Sequence, residues 1–479
     1  MPHAVNFIGG RWVASETGRT RTNINPADTA DFIGEVTESG GVDVESAVEA
    51  ARAAQPGWHE LGPIRRAEHL REARRLLAER SAEFAATITR EQGKLLAESR
   101  SEVTRALSVL DFTTGEARRL NGVTTPAEDP RTWSFTFRRP IGVVGLITPW
   151  NFPLAIPMWK VAPALLSGCP AVLKPSPLTP LTAELLTRVF ADAGVPPGAL
   201  NLVQGDRPAG EALVGHEAVA GVSFTGSVPV GIAIQRAGAH RLLRTQLELG
   251  GKNAVVVLAD ADLSAAADAI VRGAFGQAGQ RCSATSRVIA DARVVDELVD
   301  RLAAHVSAMR VGPGTDPRSD IGPVVNEDRM RACLAAVARA QDAGAKVVAG
   351  GEAATGLPPG YYVEPTVLRD VPWDAEIAQE EVFGPVLSVI NADGFDEAMR
   401  IANSVRYGMS GSLFTQDPAR MFTALDQFEA GMLHVNRPGV GAYAHLPHVG
   451  AKQSQHGPPE CSPQVWDFYT EWRSACISY

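Results

Sequence analysis

Long uninterrupted apolar runs are missing from this chain. Its most hydrophobic stretches are broken by proline, lysine or aspartate well short of the roughly 20 residues that a bilayer-spanning helix needs, and the opening MPHAVNFIGGRWVAS lacks a charged-then-apolar leader pattern. The expectation is a cytoplasmic protein with no membrane partner. Cysteine is sparse as well. The five residues Cys169, Cys282, Cys333, Cys461 and Cys476 are scattered, odd in number and free of CxxC spacing, which argues against a disulfide framework and a cysteine-held zinc site, so no metal is expected. Basic tracts are lacking too: 45 Lys and Arg against 54 Asp and Glu leave a formal net charge of −9, which gives no electrostatic reason to expect nucleic acid as a partner. No internal repeat or low-complexity segment stands out.

What is present is alternation. A length of 479 residues is too great for one core, so two or three domains are expected. Residues 43–120 read as helical after Asp43 as N-cap, with Ile64, Ala67, Leu70, Ala73, Leu77, Phe84 and Ile88 recurring at helical spacing opposite an Arg/Glu-rich, solvated face. Beyond them, short β-rich runs (143–147, 171–173, 200–203 and 222–224) alternate with helical segments, the signature of βαβ units and a parallel sheet. A second alternating block continues to Asn436, punctuated by VGPGTDPRSDIGP and TGLPPGYY. Two α/β domains account for the length. Residues 124–142 and the tail QVWDFYTEWRSACISY stand apart, rich in aromatic or β-branched residues, and suit strands that pair away from the main domains.

The motifs are individually ambiguous. SFTGSVPVGIAIQRAG reads as a strand ending at Phe224, a turn at Gly226 and a helix capped by Ser227, whose free N–H groups suit a phosphate. This is not the GxGxxG fingerprint, and such joints are common without a nucleotide. Lys174 follows a buried-looking strand, either at a ligand-binding sheet end or snorkelling. Asn151, between Trp150 and Phe152, is a neutral donor or an ordinary turn residue. Glu248 in QLELGGKN is a candidate base if buried and a bland strand residue if exposed. Cys282, in GAFGQAGQRCSATSRVIA, is a nucleophile or a small buried hydrophobe.

Taken in order, PWNFP, KPS, FTGS, LELGGKN, GQRC and EEVFGPV resemble the aldehyde dehydrogenase superfamily over nearly the whole chain, with Cys282 thirty-four residues after Glu248. The resemblance implies an aldehyde dehydrogenase-like α/β fold, two Rossmann-like parallel-sheet domains plus a small β extension for oligomerisation. It divides the chain into a cofactor-binding domain (1–123 and 143–251), a catalytic domain (252–437) and oligomerisation strands (124–142 and 455–479), the latter implying a homodimer or homotetramer. It makes Cys282 the nucleophile, Glu248 the general base and Asn151 an oxyanion donor, and puts Trp150, Lys174, Ser176, Gly226, Ser227, Gly231, Glu381 and Phe383 on NAD or NADP. The chemistry requires such a set. An aldehyde does not surrender hydride until a thiolate has added to its carbon, and the resulting thioester waits for a base to deprotonate water. Glu248 favours hydrolysis over transfer to coenzyme A, and the intact Cys282, Glu248 and Asn151 argue against a non-catalytic binding protein.

Pro177 stands where many NAD-preferring relatives carry a glutamate that binds the ribose, so NADP is expected to be accepted, with Lys174 and Ser176 as donors. Several segments look closest to the α-ketoglutaric semialdehyde dehydrogenase branch. The tail departs, reading PHVGAKQSQHGPPE where the family usually has PFGGxKxSGxGRE. Arg281, Arg437 and His448 are the candidate cations for an anionic end group, and a carboxylated or otherwise anionic semialdehyde is expected, against the alternative of a neutral aldehyde.

Overall fold

The β-rich runs of the sequence become two mostly parallel sheets in the computed structural model, which describes residues 3–479. Five strands form the parallel heart of the first, in the spatial order Arg244–Glu248, Val219–Thr225, Val143–Ile147, Ala171–Lys174 and Leu200–Leu202. The strand Val143–Ile147 is buried throughout, as expected where both faces of a parallel sheet are covered. It is also where the strand order reverses: the chain runs outward to Ala171–Lys174 on one side and returns to Val219–Thr225 on the other. Crevices beyond the carboxyl ends of strands at such a switch are where open α/β sheets bind ligands. Antiparallel pairings close the sheet: Asn6–Ile8 and Arg11–Val13 at one edge, Gln455–His456 at the other.

Of the helices α1 (Gly41–Glu60), α2 (Gly62–Glu79), α3 (Ser81–Gln92) and α4 (Leu96–Gly115), the last three share an apolar core with one face of this sheet, while Val44, Ala47, Val48 and Ala51 of α1 pack in a second core with Val143, Val172, Val219 and Val222. Ala67, Leu70, Ala73, Leu77, Phe84 and Ile88 are fully buried as their spacing predicts, whereas Ile64 is 43% exposed at the start of α2. Asp43 is not the N-cap. Gly40 occupies that place, and the Asp43 carboxylate reaches back from the third helical position to accept its N–H at 2.9 Å. Helix α5 (Ala155–Ser167) is buried along its whole length against α4 and the sheet.

The second sheet has seven strands, in the order Lys346–Ala349, Thr366–Arg369, Val386–Ala392, Thr285–Asp291, Asn253–Val257, Ser410–Phe414 and Met432–Val435. All its pairings are parallel except that of Lys346–Ala349. A separate ribbon pairs Thr132–Pro140 with Thr470–Ser478 antiparallel along nine positions, with Thr124–Thr125 on its far edge. The tail does not run as one separate ribbon from residue 455. Gln455–His456 belongs to the first sheet, and Trp466, Phe468 and Tyr469 are buried in its core. The ribbon displays aromatics on both its strands: Trp133 is 61% and Trp472 52% exposed. Among the described residues no helix is long and apolar enough to cross a membrane, and no group of three or more His, Cys, Asp or Glu is placed to hold a metal.

Candidate active site

Carboxyl ends of the first sheet's strands meet a turn of the second domain at a pocket lined by Arg105 of α4, Ile156 and Trp159 of α5, Thr225, Glu248, Cys282, His448 and Glu460. The turn carrying Cys282 is unusual. Gln277, Ala278 and Gly279 stand consecutively at φ 57°, 53° and 68°, the left-handed region that non-glycine residues rarely enter. Hydrogen bonds from outside hold it there. The Gln277 N–H donates to Glu98 Oε1 at 2.6 Å, its side-chain amide donates to the Asn151 carbonyl, and Asn151 Nδ2 donates to the Gln280 carbonyl at 3.1 Å. Asn253 Nδ2 bonds the Cys282 and Ala284 carbonyls, both at 2.8 Å, fixing the exit into the next strand.

Asn151 is itself anchored. Lys94 Nζ donates to its carbonyl at 2.6 Å and to Glu102 Oε2 at 2.7 Å, while Glu102 Oε1 accepts the N–H groups of Leu154 and Ala155 at 2.8 and 3.0 Å, at the start of α5. The Asn151 Oδ1 is buried without a partner. Glu248 ends its strand fully enclosed, with neither carboxylate oxygen hydrogen-bonded. Burial first, and the charge of Glu460 second, hold its carboxyl well above 4.5, with Lys160 opposing. Burial likewise pushes the Cys282 thiol up to about 12, helped by the charges of Glu248 and Glu381 and opposed by the Ser283 N–H.

A buried polar network escaped the sequence reading. Lys160, in the middle of the apolar α5, forms an ion pair with Glu460 and donates to Ser223 Oγ at 2.7 Å. A lysine inside an otherwise apolar helix is the signal that could have found it, since its charge needs a buried partner. Glu460 and His448 exchange backbone hydrogen bonds at 2.8 and 3.2 Å, which sets both against the pocket.

The expected cations are placed differently from the expectation. Arg437 does not line the pocket; its guanidinium donates to the Tyr443 hydroxyl at 2.8 Å on an exposed loop. Arg281 lines it but faces Glu98 at 3.4 Å and Gln277 at 3.2 Å. His448 is no cation either, because burial, with Arg105 and Lys160 nearby, pushes it down to about 4. Arg105 instead lies over the Phe152 ring at 5.2 Å with no ion-pair partner among the described residues. Nothing in its sequence context separates it from the other arginines of a solvated helix face.

The expected coenzyme residues border the switch point. Trp150 meets Phe383 edge-on with ring centroids 5.5 Å apart, and Phe383 has φ 57°. Glu381 Oε1 accepts the Gly251 N–H at 3.0 Å, and burial pushes its carboxyl up to about 7. Lys174 Nζ donates to the carbonyls of Pro175 and Gly205 at 2.8 and 2.9 Å, and Ser176 Oγ accepts the Leu178 N–H at 3.3 Å. Ser227 is the N-cap of helix Val228–Gly238, but its hydroxyl makes no capping bond, so first-turn N–H groups stay open to a ligand. Both expected glycines sit close to neighbouring side chains: a Cβ on Gly226 would meet the Phe224 ring at 2.4 Å and one on Gly231 would meet Leu249 at 2.7 Å, so a larger residue there requires those side chains to shift. A narrow helix start with open N–H groups fits a nucleotide phosphate.

The profile of the Aldehyde dehydrogenase family matches residues 12–475. Alpha-ketoglutaric semialdehyde dehydrogenase of Bacillus subtilis (strain 168) is 39% identical over 476 residues, spanning 99% of this chain and 98% of the relative. Among solved structures, 3,6-anhydro-L-galactose dehydrogenase, in complex with NADP, superposes with a TM-score of 0.96 at 35% identity, covering 100% of both chains. Betaine aldehyde dehydrogenase of Staphylococcus aureus, a point variant in complex with NAD+, gives a TM-score of 0.96 at 32% identity and covers 99% of this chain and 96% of its own.

Proposed function

The chain belongs to the aldehyde dehydrogenase family, and from that membership we propose that it oxidises an anionic semialdehyde of the α-ketoglutaric type to the carboxylic acid, with NAD or NADP as hydride acceptor. The observation that carries the substrate class is Arg105, an unpaired guanidinium in the same pocket as Cys282 and Glu248. A carboxylate at the far end of the aldehyde would take a charge-assisted, bidentate bond from it. The identity of the Bacillus relative supports the same class.

Cys282 is the nucleophile in this reading. Once the thiol has released its proton to solvent, the sulfur's electron pair forms the bond to the aldehyde carbon, and the oxygen thereby made negative is received by the second amide hydrogen of Asn151 and the Cys282 N–H. The nicotinamide, when bound, supplies the acceptor for the aldehyde's hydride. Trp150, Lys174, Ser176, Gly226, Ser227, Gly231, Glu381 and Phe383 hold the coenzyme, Ser227 with Val228 through the open N–H groups of the helix start. Glu248 then takes a proton from water, the water oxygen bonds to the acyl carbon, and the carbon–sulfur bond breaks with its electron pair returning to Cys282. The free thiols suit a reducing cytoplasm. The exposed aromatic ribbon suits a dimer or a dimer of dimers.

Comparing kcat/KM for α-ketoglutaric, succinic and glutaric semialdehydes with that for propanal, benzaldehyde and betaine aldehyde, with each coenzyme, tests the reading. Acidic aldehydes should lead. Arg105→Ala should lower kcat/KM for them by about tenfold to a hundredfold, as loss of a hydrogen bond to a charged group does, and leave propanal unchanged. Equal losses on both classes, or neutral aldehydes ahead in the unaltered enzyme, would show that Arg105 does not read an anion.

A further inference from the structure

The ring of His448 packs on Trp159 with centroids 4.9 Å apart. It also has nitrogens, and these are unequally placed. Nε2 lies 3.9 Å from Cys282 Sγ, within hydrogen-bond range for sulfur, whereas Nδ1 is buried with no partner. The surroundings favour one tautomer. A proton on Nδ1 would strand a buried donor, while a proton on Nε2 strands only a lone pair, the less costly deficit, and points an N–H at the sulfur. Burial first, then the charges of Arg105 on α4 and Lys160 on α5, keep the ring neutral, so it donates at Nε2 without being a cation.

We propose that His448 is a catalytic residue, its Nε2–H donating to Cys282 Sγ and stabilising the thiolate both before it attacks the aldehyde and when it leaves the thioester. The inference rests on Cys282 being the reacting thiol. No proton leaves the ring in either step. In attack, the sulfur's electron pair becomes the carbon–sulfur bond and the hydrogen bond weakens. In hydrolysis, that pair returns to sulfur, Glu248 takes the water proton, and the bond from His448 strengthens again, because a hydrogen bond to an anion is roughly twice as strong as one to a neutral acceptor. A buried thiol beside carboxylates needs this help. Glu248 at its strand end, Glu460 from the tail and Glu381 all oppose the thiolate, and the Ser283 N–H alone works against them, with Arg281 held by Glu98.

The test is alkylation of Cys282 in the full-length enzyme by iodoacetamide across a pH series, read on the Cys282 peptide by mass spectrometry because Cys476 is exposed and also reacts. His448→Phe keeps the ring on Trp159 and removes the donor; His448→Gln keeps an N–H, and His448→Met matches its length without one. Phenylalanine and methionine should slow alkylation near neutrality by about tenfold at each pH, the effect of one ordinary hydrogen bond, with glutamine in between. If glutamine and methionine give one profile, or phenylalanine alkylates like the unaltered enzyme or at lower pH, the inference is overturned. A Cys282→Ser variant that keeps full turnover would instead remove the nucleophile assignment and this inference with it, while loss of turnover there with an unmoved His448→Phe profile would leave that assignment standing.

Discussion

Two enclosed carboxylate oxygens without a donor make Glu248 costly to ionise, and that cost has a pH signature. Its carboxyl is held well above the ordinary value by burial first and by Glu460 second, so the form able to accept a proton from water accumulates only as the pH climbs through the raised value. Hydrolysis of the acyl-enzyme is expected to accelerate over that window, above the usual carboxylate range. Glu248→Gln should keep a pre-steady-state burst of reduced coenzyme and lose about a hundredfold to ten-thousandfold in steady-state turnover. Equal losses in both phases would separate Glu248 from hydrolysis. Stability moves with the opposite sign: the native state holds this proton more tightly than the unfolded chain, so stability present at low pH is lost as the pH rises toward the raised value. Thermal melts should therefore show Glu248→Gln gaining on the unaltered enzyme as buffers become alkaline. At this scale the motif order located Cys282, Glu248 and Asn151, and the structure brings them to one pocket or its rim. Arg105 could not be read, because only the tertiary approach of Phe152 distinguishes it from Arg100 on the same helix.

Among the elements, the strand Val143–Ile147 coincides with its sequence reading because an unbroken apolar run bounded by Gly142 and Thr148 has few alternatives. The left-handed turn before Cys282 had no such signal. Its small residues fit many conformations, and what selects this one comes from distant segments, Glu98, Asn151 and Lys94. Consecutive residues in that region cost on the order of 1–3 kcal/mol each and persist only where surrounding contacts over-determine them. Lys94→Met removes one such contact and leaves Glu102 enclosed without its cation. The expected result is a loss of about 3–5 kcal/mol in stability, typical of a broken buried pair, together with a fall in kcat as Asn151 loses its anchor. Differential scanning calorimetry and steady-state kinetics check both. An unchanged melting temperature would mean that Glu102 finds another partner.

For the molecule as a whole, the ribbon of Thr132–Pro140 with Thr470–Ser478 leaves Trp133, Trp472 and Ile477 in solvent, an arrangement that costs free energy unless another subunit covers it. Light scattering of the full chain should give twice or four times the monomer mass, and Trp133→Arg with Trp472→Glu should shift it downward. A monomer at micromolar concentration would contradict the proposed assembly. The sequence marked these aromatics as a single class. Burial divides them, since Trp466, Phe468 and Tyr469 wedge into the first sheet's core while residues a few positions later face outward, and neighbouring aromatics in one tail carry no mark of which way the chain will turn.

That same tail lays down His448 at the thiol, a strand on the edge of the first sheet, Glu460 beside the base and then the outward ribbon, in one continuous sweep. Pocket wall and assembly surface are thus covalently adjacent, a cassette that recombination can exchange whole. A chimera receiving this segment from a relative would inherit that relative's wall chemistry and its docking strand together.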